Sequence, residues 1–213
     1  MELDLNAIEH QLQHRWKYPY HWLQRQNNQW DNYTNFIYTT PQWDTVVNLM
    51  KSTIDRYNLD KEKLFQYAAN RWYNFWSARA IEQLFCSLDG VYPDKNKKNK
   101  LVDFQCQGVN FDHKTSVFPK SYPQTITYAQ QHPKAFALWL YQHQSQQGRK
   151  HLRNRLFIIV YDSSGQHWKL KANLFWLKDI IEDYVKTFDK KKLITLQLTP
   201  STTTYTDLIW AVN

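Results

Sequence analysis

Cysteine is almost missing from this chain. Cys86 and Cys106 are too few for a disulfide framework or a four-thiolate zinc site. Glycine is nearly as scarce. The four glycines, at positions 90, 108, 148 and 165, are each expected at a turn or a helix end. They form no glycine-rich phosphate cradle, so nucleotide-driven chemistry finds no support. No apolar run approaches the roughly 18 residues that span a bilayer, so no membrane partner is expected. The start, Met1-Glu2-Leu3-Asp4, is acidic and lacks an apolar signal core, which gives the expectation of a cytoplasmic protein. Acidic residues are the minority charge: 19 Asp and Glu stand against 27 Lys and Arg, a net charge of +8. That excess favours polyanions such as nucleic acid. Aromatic residues are abundant at 16%, with ten Trp. Their first use is core packing, and stacking on unpaired bases is the alternative. With 42% hydrophobic and 22% charged residues, wholesale disorder is excluded. The length of 213 residues suits one globular domain with an appended subdomain.

Helical spacing predicts a short helix over residues 3–15 and another over 42–57, with Val46, Val47, Met50 and Ile54 on one side. Residues 16–40 are polar-aromatic and take no assignment. A long helix is predicted from Glu62 to Leu88, capped by Asn58 or Asp60 and stopped by Asp89-Gly90 and Pro93. Val102, Phe104 and Cys106 alternate with polar residues, so 101–114 reads as a β-hairpin turning at Gly108, its second arm reaching Val117. A helix is predicted over 133–146. The apolar run 156–161 reads as a strand buried on both faces. A strand over 167–172, a helix over 174–188 and a strand over 193–198 complete the prediction. The elements alternate around one sheet, an α/β arrangement with a mixed α+β sheet. Residues 1–59 are expected to form a helical or irregular extension, and 60–213 the main domain.

A turn centred on Gln107-Gly108 puts residues whose numbers sum to 215 opposite each other. Asp103 then faces Asp112, and Lys114 shares their side two residues on. Carboxylates directly opposed across a hairpin repel and raise each other's pKa. A divalent cation removes the conflict, and hard oxygen donors suit Mg²⁺ or Mn²⁺. Lys114 supplies a cation at the edge of such a site, fit to orient a water or to neutralise phosphoryl charge. Glu82 lies late in the long helix with Ala78, Phe85 and Cys86 as helical neighbours. An unpaired carboxylate is costly there, so a metal or a basic partner is expected. His113 alternates to the other side of the hairpin and is read as structural.

A helix-borne Glu, an Asp on the first hairpin arm and (Asp/Glu)-x-Lys on the second resemble the PD-(D/E)xK nuclease superfamily. Glu82 in Ser77–Phe85, Asp103 in Leu101–Phe104, and Asp112 and Lys114 in Phe111–Ser116 carry the resemblance, which covers roughly residues 62–161. Val102 stands where the eponymous proline would be. The resemblance implies a restriction-endonuclease-like αβββαβ core, with one further strand between the long helix and the hairpin, where Val91-Tyr92 shows no clear strand pattern. It also implies metal-dependent hydrolysis of phosphodiester bonds in DNA, and it allows a homodimer. Carried over, Glu82, Asp103 and Asp112 ligate Mg²⁺ or Mn²⁺, joined by the backbone carbonyl of His113. Glu82, Asp103, Asp112 and Lys114 form the catalytic set.

Two basic stretches flank these residues. Lys95, Lys97, Lys98 and Lys100 precede the hairpin, and Arg149, Lys150, Arg153 and Arg155 form a second stretch before the buried strand. Both are candidates for phosphate contacts, which give affinity without sequence readout. The competing expectations are a non-catalytic nucleic-acid-binding module on the same fold and a protein-interaction module using the aromatic N-terminal part.

Overall fold

The computed structural model describes residues 2–96, 101–143 and 152–213. Within it the chain divides into two units. The first comprises Met1–Gln83 with Lys171–Leu174, and the second Leu84–Leu170 with Phe175–Asn213. The boundary lies inside the long helix rather than at residue 60, because most of that helix is core to the N-terminal segment.

The first unit holds α1 (Leu5–Gln13), α2 (Asn28–Tyr33), α3 (Trp43–Tyr57) and most of α4 (Lys61–Cys86). Side-chain caps begin α1, α2 and α4. Asp4 accepts from the Ala7 N–H, Asn27 from Trp30 and Asp60 from Lys63. Asn58, at φ 49°, ends α3 in the left-handed region that Asn tolerates. Leu64, Tyr67, Ala68, Trp72, Tyr73 and Trp76 of α4 are all buried, so this helix is enclosed rather than amphipathic. The segment 16–40, unassigned from sequence, folds around it through side-chain bonds. Buried Arg15 donates to Gln66 and Asn70 on α4 and to the carbonyls of Tyr18 and Pro19. Arg71 of α4 bridges Asp31 at 3.2 Å and donates to Tyr38. The aromatic excess in this unit is used mainly for packing.

The second unit is a six-stranded mixed sheet of order β1-β2-β3-β4-β6-β5. Its strands are β1 (Val91–Pro93), β2 (Phe104–Cys106), β3 (Val109–Val117), β4 (Arg155–Tyr161), β5 (Ile194–Thr199) and β6 (Thr202–Val212). The first three form an antiparallel meander, β4 runs parallel to β3 and to β6, and β5 is antiparallel to β6. The α/β class and mixed sheet follow the sequence expectation. Between the long helix and the hairpin, where no strand pattern is clear in the sequence, Val91–Pro93 forms β1, an edge strand whose Pro93 blocks further pairing. α5 (Ile126–Gln131) and α6 (Pro133–Gln142) pack on one face through Phe136, Ala137, Leu140 and Tyr141 against Phe157, Ile159 and Leu208. α7 (Leu174–Thr187) serves the opposite face, where Tyr184 donates to Asp207 at 3.0 Å.

Three expectations change. Residues 167–172 form a 3₁₀ turn, not a strand. His167 accepts the Asp162 N–H through its ring nitrogen, and Asp162 binds back to Ser164 and Gln166, which curls the chain. The helix from Pro133 ends at Gln142, and residues 144–146 lie outside the described residues. The long strand β6, between β4 and β5, was not anticipated.

Among the described residues no helix is long and apolar enough to cross a membrane. The positive charge is unevenly shared. The first unit has ten Lys and Arg against nine Asp and Glu, the second seventeen against ten.

Candidate functional site

The second unit's hairpin positions the acidic candidates. Gln107 at φ 44° and Gly108 at φ 88° give two consecutive left-handed residues, the form of a type I′ turn. Phe104 pairs with Phe111, Gln105 with Asn110 and Cys106 with Val109, the register expected from sequence. The ladder then slips by one. The Asp103 N–H donates to the carbonyl of Phe111 at 2.8 Å, and Asp103 lies outside β2. Its carboxylate takes over as acceptor for the His113 N–H (2.8 Å) and for the His113 ring Nδ1 (2.8 Å). Asp103 and Asp112 therefore do not stand as a bare repelling pair, which corrects the sequence expectation.

Asp112 has its own cation. Parallel pairing of β3 with β4 sets Asp112 beside Arg155 and Lys114 beside Phe157. The Asp112 carboxylate accepts from Arg155 through both Nε and Nη2. Arg155 is 5% exposed, and its main chain is held by the Thr206 hydroxyl on its carbonyl at 2.6 Å. The guanidinium also lies 5.8 Å from the Phe157 ring centre. Asn154, next to it, donates to the carbonyl of Asn110 and accepts from the Tyr205 N–H. A carboxylate and two cations thus share one face of adjoining strands, bordered by Tyr141, whose hydroxyl donates to the Arg153 carbonyl at 2.7 Å.

Burial holds the Lys114 ammonium below its usual pKa, Arg155 adds to that, and Asp112 opposes both. Burial pushes the Asp103 carboxyl up, but the bonds from His113 outweigh it and leave the group below the usual carboxylate value. Burial raises the Tyr141 phenol. Burial also lifts the Cys106 thiol to about 11, so Cys106 is no activated nucleophile.

His113 is a packed residue. Its side chain is 5% exposed, and its ring centre lies 6.0 Å from Phe104 and 6.3 Å from Phe85. Glu82 belongs to the first unit, where its carboxylate meets Arg79 at 3.0 Å; the basic partner its neighbourhood called for is Arg79. Lys95 and Arg153 are exposed. Lys97, Lys98, Lys100, Arg149 and Lys150 lie outside the described residues. Among the described residues no three His, Cys, Asp or Glu side chains stand close enough to hold a metal ion.

Sequence reasoning placed Arg155 in a basic stretch suited to phosphate contacts and missed its role as the partner of Asp112. The available signal was an arginine opening a fully apolar strand run. An arginine entering a buried strand calls for a buried acceptor, and Asp112 is that acceptor.

No protein-family model matches this chain, and neither a curated protein nor a solved structure matches it.

Proposed function

We propose that this chain is a metal-dependent endonuclease hydrolysing phosphodiester bonds in DNA, with its chemistry in the second unit at Asp103, Asp112 and Lys114. The observation that carries this reading is the shared face of Asp112, Lys114 and Arg155 across the parallel strands β3 and β4. A carboxylate flanked by two cations suits a phosphate diester better than a neutral or cationic substrate. The order of elements supports it. A long helix, three antiparallel strands, a helical crossover and a strand parallel to the third follow the αβββαβ order that the resemblance implies.

The donors fit Mg²⁺ or Mn²⁺ in kind. Such ions need only one or two carboxylates, with water and substrate oxygens completing the shell. Asp103 and Asp112 each commit Oδ2 to a protein partner, and among the described residues no hydrogen bond reaches Oδ1 of either. A bound divalent cation would supply Lewis-acid polarisation of the phosphoryl oxygen. The remaining work falls to side chains of this chain. Lys114 holds positive charge against the phosphoryl oxygens as charge develops there. Arg155 adds positive charge beside the same group and holds the Asp112 carboxylate in place through Nε and Nη2. His113 fixes the Asp103 carboxylate. Glu82 enters this scheme from the resemblance alone.

One observation favours the second reading, a non-catalytic DNA-binding module: each carboxylate already has a partner on Oδ2, Arg155 for Asp112 and His113 for Asp103. Supercoiled plasmid separates the two. Nicking that requires Mg²⁺ or Mn²⁺, stops with chelator and disappears in Lys114→Ala is the expected result. Equal DNA retention by wild type and Lys114→Ala, with no nicking of a pooled genomic substrate under any divalent cation, would leave the binding module.

A further inference from the structure

The outer wing of the sheet, away from α5 and α6, carries a small pocket that the proposed chemistry does not use. It has a volume of about 290 Å³ and is lined by Tyr92, Pro93, Asp94, Lys95, Val102, Gln105 and Asn110. Tyr92 pairs with Gln105 and Gln105 with Asn110, so their side chains form one row across β1, β2 and β3. Strand alternation puts Asp112 on the same face, two residues beyond Asn110. The row therefore leads toward the Asp112–Lys114–Arg155 cluster.

Tyr92 is 62% exposed, the most exposed large apolar side chain among the described residues. An aromatic ring on an edge strand, held by its backbone and packed by little else, is a stacking surface without a partner. The amides beside it are ordered. Gln105 Nε2 donates to Asn110 Oδ1 at 3.1 Å. That bond commits one donor of Gln105 and the acceptor of Asn110, so Gln105 keeps its Oε1 acceptor and Asn110 its Nδ2 donor. A paired acceptor and donor of this kind complements the N6 amino group and ring nitrogen of adenine. Lys95 adds a cation at the pocket's rim, in the unit that holds the charge excess. The pocket lies at the lower end of the range for small-molecule sites, roughly 300 Å³, which suits a single base.

We propose that this pocket is a subsite for one unpaired nucleobase of a DNA strand, adenine preferred, stacked on Tyr92 and read by the Gln105–Asn110 amide pair. The proposal rests on the endonuclease reading only for its choice of DNA, and it extends the substrate's path from the cluster to the sheet edge. Base stacking on an aromatic side chain is sequence-tolerant, and the amide pair adds the preference.

The test is fluorescence anisotropy with labelled single-stranded 12-mers in chelator, one of thymine alone and one with a central adenine. The full chain is compared with Tyr92→Ala, Tyr92→Phe and Gln105→Leu, each checked by thermal melting. Tyr92→Ala is expected to weaken binding of both strands about tenfold, while Tyr92→Phe keeps it. Gln105→Leu is expected to abolish the preference for the adenine strand. Plasmid nicking by the unaltered chain is scored separately and reports only on the endonuclease reading. Equal affinity of wild type and Tyr92→Ala for the single strands, or no binding of single strands by wild type, overturns the subsite even where nicking is seen. Binding weakened in Tyr92→Ala and kept in Tyr92→Phe upholds it even where nicking is absent.

Discussion

Asp112 and Arg155 form an ion pair whose two ends differ in exposure. Arg155 is 5% exposed, and the Asp112 side chain 26%. Removing the carboxylate takes a charged acceptor away from a buried guanidinium. Asp112→Asn should therefore destabilise the fold by about 2 kcal/mol, less than the 3–5 kcal/mol of a fully buried pair because water reaches one end. Asp112→Leu with Arg155→Met should recover most of that loss, as an apolar replacement removes both charges together. Urea unfolding of the three variants checks it, and an unchanged midpoint for Asp112→Asn would contradict the pairing. Asp207 behaves in the opposite sense. Burial raises its pKa above 3.8, only partly offset by bonds from the Leu208 N–H and the Tyr184 hydroxyl. A raised folded-state value contributes stability that is present below the unfolded pKa and is lost as pH rises through the folded one. Asp207→Asn should then be more stable than wild type at pH 7 and no more stable at pH 3, measured by chemical denaturation at both. At this scale Asp112 and Lys114 were legible because strand alternation alone puts them on one face. The arrangement of Asp103 was not, because a one-residue slip in the ladder is a local choice made by its own carboxylate and by His113.

The hairpin is the element on which the site depends. Its turn needs two positive φ values, and only Gly108 supplies one without strain. No atom lies within 4 Å of a Cβ built at Gly108, so Gly108→Ala is charged only with backbone conformation. It should lose about 1–2 kcal/mol, whereas Gln107→Asn should gain a few tenths, about 0.5 kcal/mol, by matching the Asn-Gly preference of such turns. Thermal melts of both variants read the difference; equal melting temperatures would contradict the turn type. Elements with their own punctuation were visible in the sequence. Helix α4 has the Asp60 cap and no interior Gly or Pro, and β4 is an unbroken apolar run. β6 was hidden because Thr202, Thr203, Thr204 and Thr206 mask its pattern, although Thr204 and Thr206 are buried through bonds to the carbonyls of Leu152 and Arg155. The segment 167–172 carries strand-like alternation, and the Asp162–His167 bond network overrides it.

Over the whole molecule the charge excess sits almost entirely in the second unit, with the sheet, the Asp112 cluster and the pocket at Tyr92. DNA affinity should accordingly fall steeply with salt. Lys95→Ala and Arg153→Ala, both exposed positions, should each reduce the slope of log affinity against log salt by about 1. Slopes equal to wild type would remove those residues from the phosphate path. The class of fold was legible from the alternation of elements. The division into units was not, since it falls between Gln83 and Leu84 within one unbroken helix. Metal binding at the site is read most directly by anomalous diffraction from crystals soaked in Mn²⁺. Manganese is expected at the Asp112 carboxylate, and none there in crystals of Asp112→Asn. Full soaking that leaves Asp112 paired with Arg155 and free of manganese would contradict a metal-dependent hydrolase at this position.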